Sequence, residues 1–452
     1  MSVAFILFMV ISAVALLLLM VLKLKINAFI SLLITAIYVG ILAGMPLNEI
    51  TKSIQDGMGS TLGFVATVVG LGAIFGQILE SSGGAEALAH SLIRKFGQKK
   101  APWAMVLTGF IVAIPVFLDV GFIILVPIVY AISRDSKKSL LYYAIPLLAG
   151  LAVTHSFIPP TPGPVAVADI IKVPLGWVIL FGFILGIPVA ILAGPVWGSY
   201  ISKKINLSPP ADFLNSETEF KDEKNLPSFR LIATLIGIPL VLILLNTLAG
   251  VMVSKEIIAK STLTDIVEFA GHPFTALIIA TLLAIWLLGI RRGMTKQKIL
   301  DLSTKALGPA GIIILITGAG GVLKEILVDS GIGKMMAESM AGSSLSPILL
   351  AWLLAAVVRI TQGSATVAMI TAAGIIAPVL EVLQLNDPTR ALIVIAIASG
   401  ATILSHVNDS GFWLVGKYLG MNEKQTLQSW TVMETIIALS GLVLTMVASL
   451  FV

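Results

Sequence analysis

The chain is 452 residues long, 57% hydrophobic and 12% charged, with a formal net charge of +5 and no cysteine. A mean hydropathy of +1.03 excludes a soluble globule, whose surface needs far more polar residues than this chain has, and predicts a polytopic membrane protein. The lack of cysteine excludes disulfides and thiol chemistry, and basic residues confined to short connectors orient a membrane chain rather than bind nucleic acid.

Residues 2–22 are apolar without a basic start or a small-residue cleavage site, so they predict a spanning helix and not a signal peptide. Crossings follow at about 27–44 and 60–80. The stretch 102–133 is too long for one crossing and is broken at "PVFLDVG" (115–121), which predicts two half-length helices entering and leaving on the same side. A crossing at 139–154 then runs into "THSFIPPTPGP" (154–164), whose prolines forbid a continuous helix. Residues 176–197 cross next, and the hydrophilic segment 206–227 forms a linker.

The second half repeats this order, with crossings at about 231–253, 273–290 and 308–327, a broken stretch at 346–380 interrupted by "RITQGSAT" (359–366), and a crossing at 390–404. That crossing is interrupted by "SHVNDSGFW" (405–413), and 429–451 crosses last. Treating both broken stretches as hairpins places most Lys and Arg on one side, whereas letting them cross divides the basic residues almost evenly. The hairpin arrangement obeys the positive-inside rule and puts both termini outside and the linker in the cytoplasm.

"GLGAIFGQILESSG" (70–83) aligns without gaps to "GAGGVLKEILVDSG" (318–331), an offset of 248. The broken stretches follow in both halves, and then "LLAGLAVTHSFIPP" (147–160) corresponds to "AIASGATILSHVND" (396–409), matching Thr154-His155 with Ser405-His406. The predicted fold is all-α, with two inverted-topology repeats, 1–205 and 228–452. Each has about five crossings, one re-entrant hairpin and one discontinuous helix. An odd number of crossings turns the second copy upside down, an arrangement that places substrate at the repeat interface near mid-membrane in secondary transporters.

A carboxylate crossing hydrocarbon needs its charge met, and helix N-termini at hairpin tips supply free N–H groups and a positive dipole end. In "QGSATVAM" (362–369), Gly363 permits close backbone approach, while Ser364 and Thr366 supply hydroxyls that either bind ligand or cap the helix. Arg359, just before the tip, either reaches the substrate or neutralises Asp119 or Asp409. Thr154, Ser405 and Asn408 suit the hydroxyls of a polyol acid. Asp119, His155, His406 and Asp409 are candidates for carrying a proton, since intramembrane ionisable groups are functional by default. Structural alternatives are a His406–Asp409 strut and a bracing role for His155 in the proline loop. Glu434 stands about one turn into the last crossing, where a helix-start preference explains it as well as function does, and His90 and His272 read as interfacial.

Neither a Walker sequence nor His-Glu-x-x-His nor Gly-x-Ser-x-Gly occurs, so nothing points to a pump or hydrolase, and no cofactor or metal is expected. A channel remains open on topology alone. Within the transporter class, two tips of unlike character, one acidic and one not, disfavour paired sodium sites.

The segments "ALGPAGIIILITGAGGVLKEILVDSGIG" (306–333), "THSFIPPTPGPVAVA" (154–168), "RITQGSATVAMITAAG" (359–374), "SHVNDSGFWLV" (405–415) and "SWTVMETI" (429–436) resemble the gluconate permease (GntP) family of bacterial proton symporters. The resemblance spans nearly the whole chain. It implies a cytoplasmic-membrane importer of gluconate or a related small carboxylate, driven by protons, with kinship to the ion-transporter superfamily. Elevator motion and a homodimer are common among such proteins. One departure concerns the Pro-Pro-x-Pro-Gly-Pro loop, where gluconate members carry a histidine and this chain has Thr161.

Overall fold

In the computed structural model the described residues are 3–97, 100–210, 226–341 and 346–452, and every regular element among them is helical. The first half comprises α1 (Val3–Leu18), α2 (Ala28–Leu42), α3 (Leu47–Ser81), α4 (Gly84–Phe96), α5 (Ala101–Val112), α6 (Leu118–Ser136), α7 (Leu141–Phe157), α8 (Pro162–Ile171), α9 (Leu175–Ile191) and α10 (Trp197–Lys204). The second comprises α11 (Phe229–Ser254), α12 (Thr262–Gly271), α13 (Pro273–Ala284), α14 (Lys296–Asp329), α15 (Ile332–Ala341), α16 (Pro347–Gln362), α17 (Ala365–Leu383), α18 (Asp387–Gly400), α19 (Ser410–Leu419), α20 (Glu423–Thr426) and α21 (Val432–Ala448). Residues 211–225, most of the expected linker, lie outside the described residues.

Among the described residues, 8 helical stretches are long and apolar enough to cross a bilayer. Seven of them coincide with expected crossings, from Leu47–Ser81 to Glu423–Ala448. The expected crossings 2–22, 27–44 and 390–404 fall on shorter helices, α1 with its π-helical extension Leu19–Lys23, α2 and α18. The eighth stretch is α17, expected as a half-length hairpin arm. Both broken stretches divide off-centre, with first arms of 12 and 16 residues and second arms, α6 and α17, of 19 residues each. At 1.5 Å per residue a second arm is about 28 Å long, close to the hydrocarbon thickness. The lipid-facing side is read from exposed apolar residues at helical spacing: Ile30, Ile34, Ile37 and Ile41 on α2, and Val241, Leu245 and Leu248 on α11.

The breaks have local causes. α5 stops before Pro115, which has no N–H to donate, and α7 stops before Pro159-Pro160, while Pro162 suits the first turn of α8. α16 ends because Gly363 takes φ +87°, its N–H closing the last turn on the Arg359 carbonyl at 2.9 Å. Ser364 then caps α17 by accepting from Val367 N. Between α18 and α19 the chain is non-helical over 401–409, and Asp409 starts α19 by accepting from Gly411 N at 3.0 Å.

Small residues set how closely these pieces pack, since in lipid helices associate by close contact rather than by a hydrophobic drive. A Cβ at Gly109 of α5 would sit 2.2 Å from the Leu147 carbonyl of α7, and one at Gly150 of α7 would sit 2.2 Å from the Val106 carbonyl of α5. In the second half a Cβ at Gly400 of α18 would sit 2.5 Å from the Trp352 carbonyl of α16. Each broken stretch is thus laid backbone to backbone on the discontinuous helix that follows it. The long helices α3 and α14 cross at Gly57 and Gly321, and Ser53 Oγ donates to Asp329 Oδ2 at 2.5 Å beside this contact.

Gly150→Ala should therefore lower stability by roughly 1–3 kcal/mol, the usual cost of overpacking. Gly237→Ala on α11, whose Cβ would meet nothing within 4 Å, should be neutral or stabilise by up to about 1 kcal/mol through helix propensity. Thermal unfolding of the detergent-solubilised variants checks both.

Candidate functional site

The broken helices converge on one polar cavity of about 480 Å³, of a size suited to a small ligand. Asp119 on α6, His155 on α7, Arg359, Gly363, Ser364 and Thr366 at the second hairpin tip, and Asn408 and Asp409 from the break before α19 all line it. Eight of the eleven candidates from the sequence are thereby brought together. The other three stand behind the wall. Thr154 is fully buried, its hydroxyl without a hydrogen-bond partner; Ser405 is 1% exposed; His406 turns away toward the backbone of α16.

Arg359 is the centre of the arrangement. It is 4% exposed; Nη2 donates to Asp409 Oδ2 at 2.5 Å and Nη1 donates to the Gly363 carbonyl. Of the partners open to it in the sequence, Asp409 is the one it takes. Asp409 Oδ2 also accepts from Ser405 Oγ at 2.5 Å, and Ser405 Oγ accepts from Trp430 Nε1 at 2.7 Å. With Gly411 N on Oδ1, the carboxylate receives donors from three chain segments, α16, the break and α19, and Ser405 is itself held by Trp430 from the turn preceding α21.

Asn408 and His406 form a second tie. Asn408 Nδ2 donates to the carbonyls of Ile360 and Thr361 at 3.0 and 3.1 Å. His406 Nε2 lies 2.8 Å from the Ile360 carbonyl; a carbonyl only accepts, so this nitrogen carries the proton. These donors satisfy the open C-terminal carbonyls of α16, which would otherwise be orphaned in the membrane. Gly363 completes the contact: a Cβ there would lie 2.3 Å from the Asn408 carbonyl oxygen.

The cavity keeps groups with nothing to bind. Asn408 Oδ1, Gln362 Oε1, Arg359 Nε, His155 Nδ1 and Glu434 Oε1 are buried without a hydrogen-bond partner. The first turn of α17 offers N–H groups beyond the one Ser364 caps.

Gln362, Trp430 and Glu434 were not among the sequence candidates. For Glu434, which helix start and function explain equally well from the sequence, the helical run begins at Glu423 and continues through the π-helical turn Leu427–Thr431 into α21, so Glu434 lies well inside that run and lines the cavity at 3% exposure. A lone acid in the final apolar run was the available signal. Gln362 was visible only as the neighbour of the tip glycine. Trp430 carries no sequence signal for its contact with Ser405, 25 positions away.

The family model for GntP family permease matches residues 5–451. The chain is 42% identical over 438 residues, 97% of each chain, to the low-affinity gluconate transporter of Escherichia coli (strain K12). It is 41% identical over 434 residues to the gluconate permease of Pseudomonas aeruginosa, covering 96% of this chain and 95% of that one. It is also 41% identical over 431 residues to the Gnt-II system L-idonate transporter of Escherichia coli (strain K12), covering 95% and 96%. Among solved structures, the YdaH transporter of Alcanivorax borkumensis shares the fold with a TM-score of 0.64 at 14% identity, over 90% of each chain. MtrF of Neisseria gonorrhoeae gives 0.60 at 16% identity, over 88% of this chain and 83% of that one. This is a multi-pass membrane transporter, not an enzyme, and the chain belongs to the GntP family of permeases.

Proposed function

We propose that the protein imports gluconate, or a closely related small hydroxy-carboxylate, across the bacterial inner membrane by proton symport. The observation that carries this reading is the set of unpartnered buried groups around the N-terminus of α17. Arg359 Nε and the free N–H groups of α17 suit a carboxylate, while Asn408 Oδ1 and Gln362 Oε1 suit the O–H donors of a polyol. A buried polar group left unpaired costs about 1–3 kcal/mol, so a ligand that pairs several at once is held by the loss it prevents. The names of the relatives agree, and the similarity to an L-idonate transporter equals that to gluconate permeases, so the acid's identity rests on competition between them.

Proton coupling is supported by the charge balance. Asp119, Asp409 and Glu434 line the cavity against one arginine. Two like unit charges roughly 5 Å apart at an effective dielectric of 20 repel by about 3 kcal/mol, which favours entry of an anion together with a proton. Among the described residues no group of His, Asp and Glu is placed to hold a metal ion.

Alternating access is read as an elevator in which the hairpins and broken helices move together. The His406 and Asn408 ties and the Arg359–Asp409 pair join the second hairpin to the broken helix beside it, as one moving body requires. The same reading takes 1–205 and 228–452 as two inverted repeats. The offset of 248 maps residues 70–81 at the end of α3 onto 318–329 at the end of α14, and each half carries a broken stretch followed by a discontinuous helix. In the same reading both termini face outward.

In proteoliposomes, labelled gluconate should accumulate under an inward proton gradient at fixed sodium-free ionic composition and stop when a protonophore collapses it. Uptake that needs sodium instead would contradict proton coupling, and competition by unlabelled L-idonate, glycerate and D-serine ranks the substrates. Gly363→Ala, strained at φ +87° and clashing with Asn408, should lose transport at least tenfold while the protein still reaches the membrane. His406→Ala should impair transport without changing its dependence on the proton gradient, measured as the ratio of gradient-driven to exchange uptake.

A further inference from the structure

Four ionisable groups besides Arg359 border the cavity: Asp119, His155, Asp409 and Glu434. Their surroundings differ. Asp409 accepts from Arg359, Ser405 and Gly411, and protonating it would break bonds that hold the site together. Asp119 is exposed in the first turn of α6, away from the enclosed part of the cavity wall that Arg359 and Glu434 form. His155 lies beside Phe117, their ring centroids 6.0 Å apart and their planes tilted by 59°, and Nδ1 is unpartnered. Glu434 is 3% exposed, its Oε1 has no partner, and the arginine of the cavity is engaged by Asp409 and the Gly363 carbonyl.

The groups packed around Glu434 leave it no other cation. α9 has no ionisable residue, and the C-terminal end of α18 presents Ser399 and then Thr402, whose Oγ1 donates to the Glu434 carbonyl at 3.4 Å. α7 contributes His155, α16 contributes Arg359, and the break before α19 contributes Asp409.

We propose that Glu434 is the proton-carrying residue, and that its carboxylate and the substrate carboxylate compete for Arg359. This deepens the symport reading and rests on it. When the anion binds beside Arg359, Glu434 takes a proton from the outer solution, forming an Oε–H bond that leaves the cavity with one fewer negative charge. On the inner side substrate leaves, the Oε–H bond breaks, the proton passes to water, and the returning Glu434 carboxylate shares Arg359 with Asp409. In this scheme Glu434 is protonated while the anion is bound and ionised on the empty return, and this alternation ties one proton to one anion.

The test is proton uptake on gluconate binding, measured calorimetrically on the purified full-length transporter in two buffers of different ionisation enthalpy. The wild type should take up about one proton per gluconate, and Glu434→Gln should bind gluconate with no proton uptake. In proteoliposomes the same variant should exchange gluconate yet lose gradient-driven accumulation. Full proton uptake by Glu434→Gln would overturn the assignment while leaving symport standing. A wild type that takes up no proton would instead overturn the symport reading, and the assignment with it. Should Glu434→Gln fail to fold or bind, Glu434→Asp decides: a shifted pH midpoint of proton uptake supports the assignment, and an unshifted one overturns it.

Discussion

The ion pair between buried Arg359 and half-buried Asp409 is the contact on which the site depends, because it joins two chain segments that are each broken in the membrane. Arg359 belongs to the last turn of α16 and Asp409 to the start of α19, 50 positions apart. Removing one partner of such a pair leaves an uncompensated buried charge, at a cost of about 3–5 kcal/mol. The pair is held in place on both sides. Gly363 returns its carbonyl to Arg359, and Trp430 acts on Asp409 through Ser405.

Two consequences follow from this geometry. With one N–H of each Nη engaged, Arg359 keeps the second N–H of each and its Nε–H, so it meets an anion without releasing the acid that positions it. The open ends of α16 are covered by Asn408 and His406, which frees the N-terminus of α17 to face the cavity. A polar break in the bilayer is thereby made stable on one side and available on the other.

Much of this was legible in the sequence for a physical reason: helix breakers act locally. Pro115, Pro159-Pro160 and Gly363 mark the interruptions wherever the rest of the chain lies, and length and hydropathy mark most of the crossings. The internal match between 70–83 and 318–331 points to the two helices that pack along each other. Facing directions were not legible. Whether His406 looks into the cavity or at the Ile360 carbonyl depends on the rotation of a non-helical segment, which no periodicity encodes. The depth of Glu434 was hidden because the helix starts at Glu423, upstream of the apolar run used to place it, and passes through a π-helical turn. The unequal hairpin arms were hidden likewise, since a broken apolar stretch shows where the chain turns but not how far each arm penetrates.

The most direct measurement of the account is a cryo-electron microscopy map of the transporter with gluconate. The account predicts density in the cavity between the hairpin tip and the break before α19, with the carboxylate at the N-terminus of α17 and Arg359 still paired with Asp409. Gluconate bound elsewhere, or Arg359 released from Asp409 onto the substrate, would contradict it.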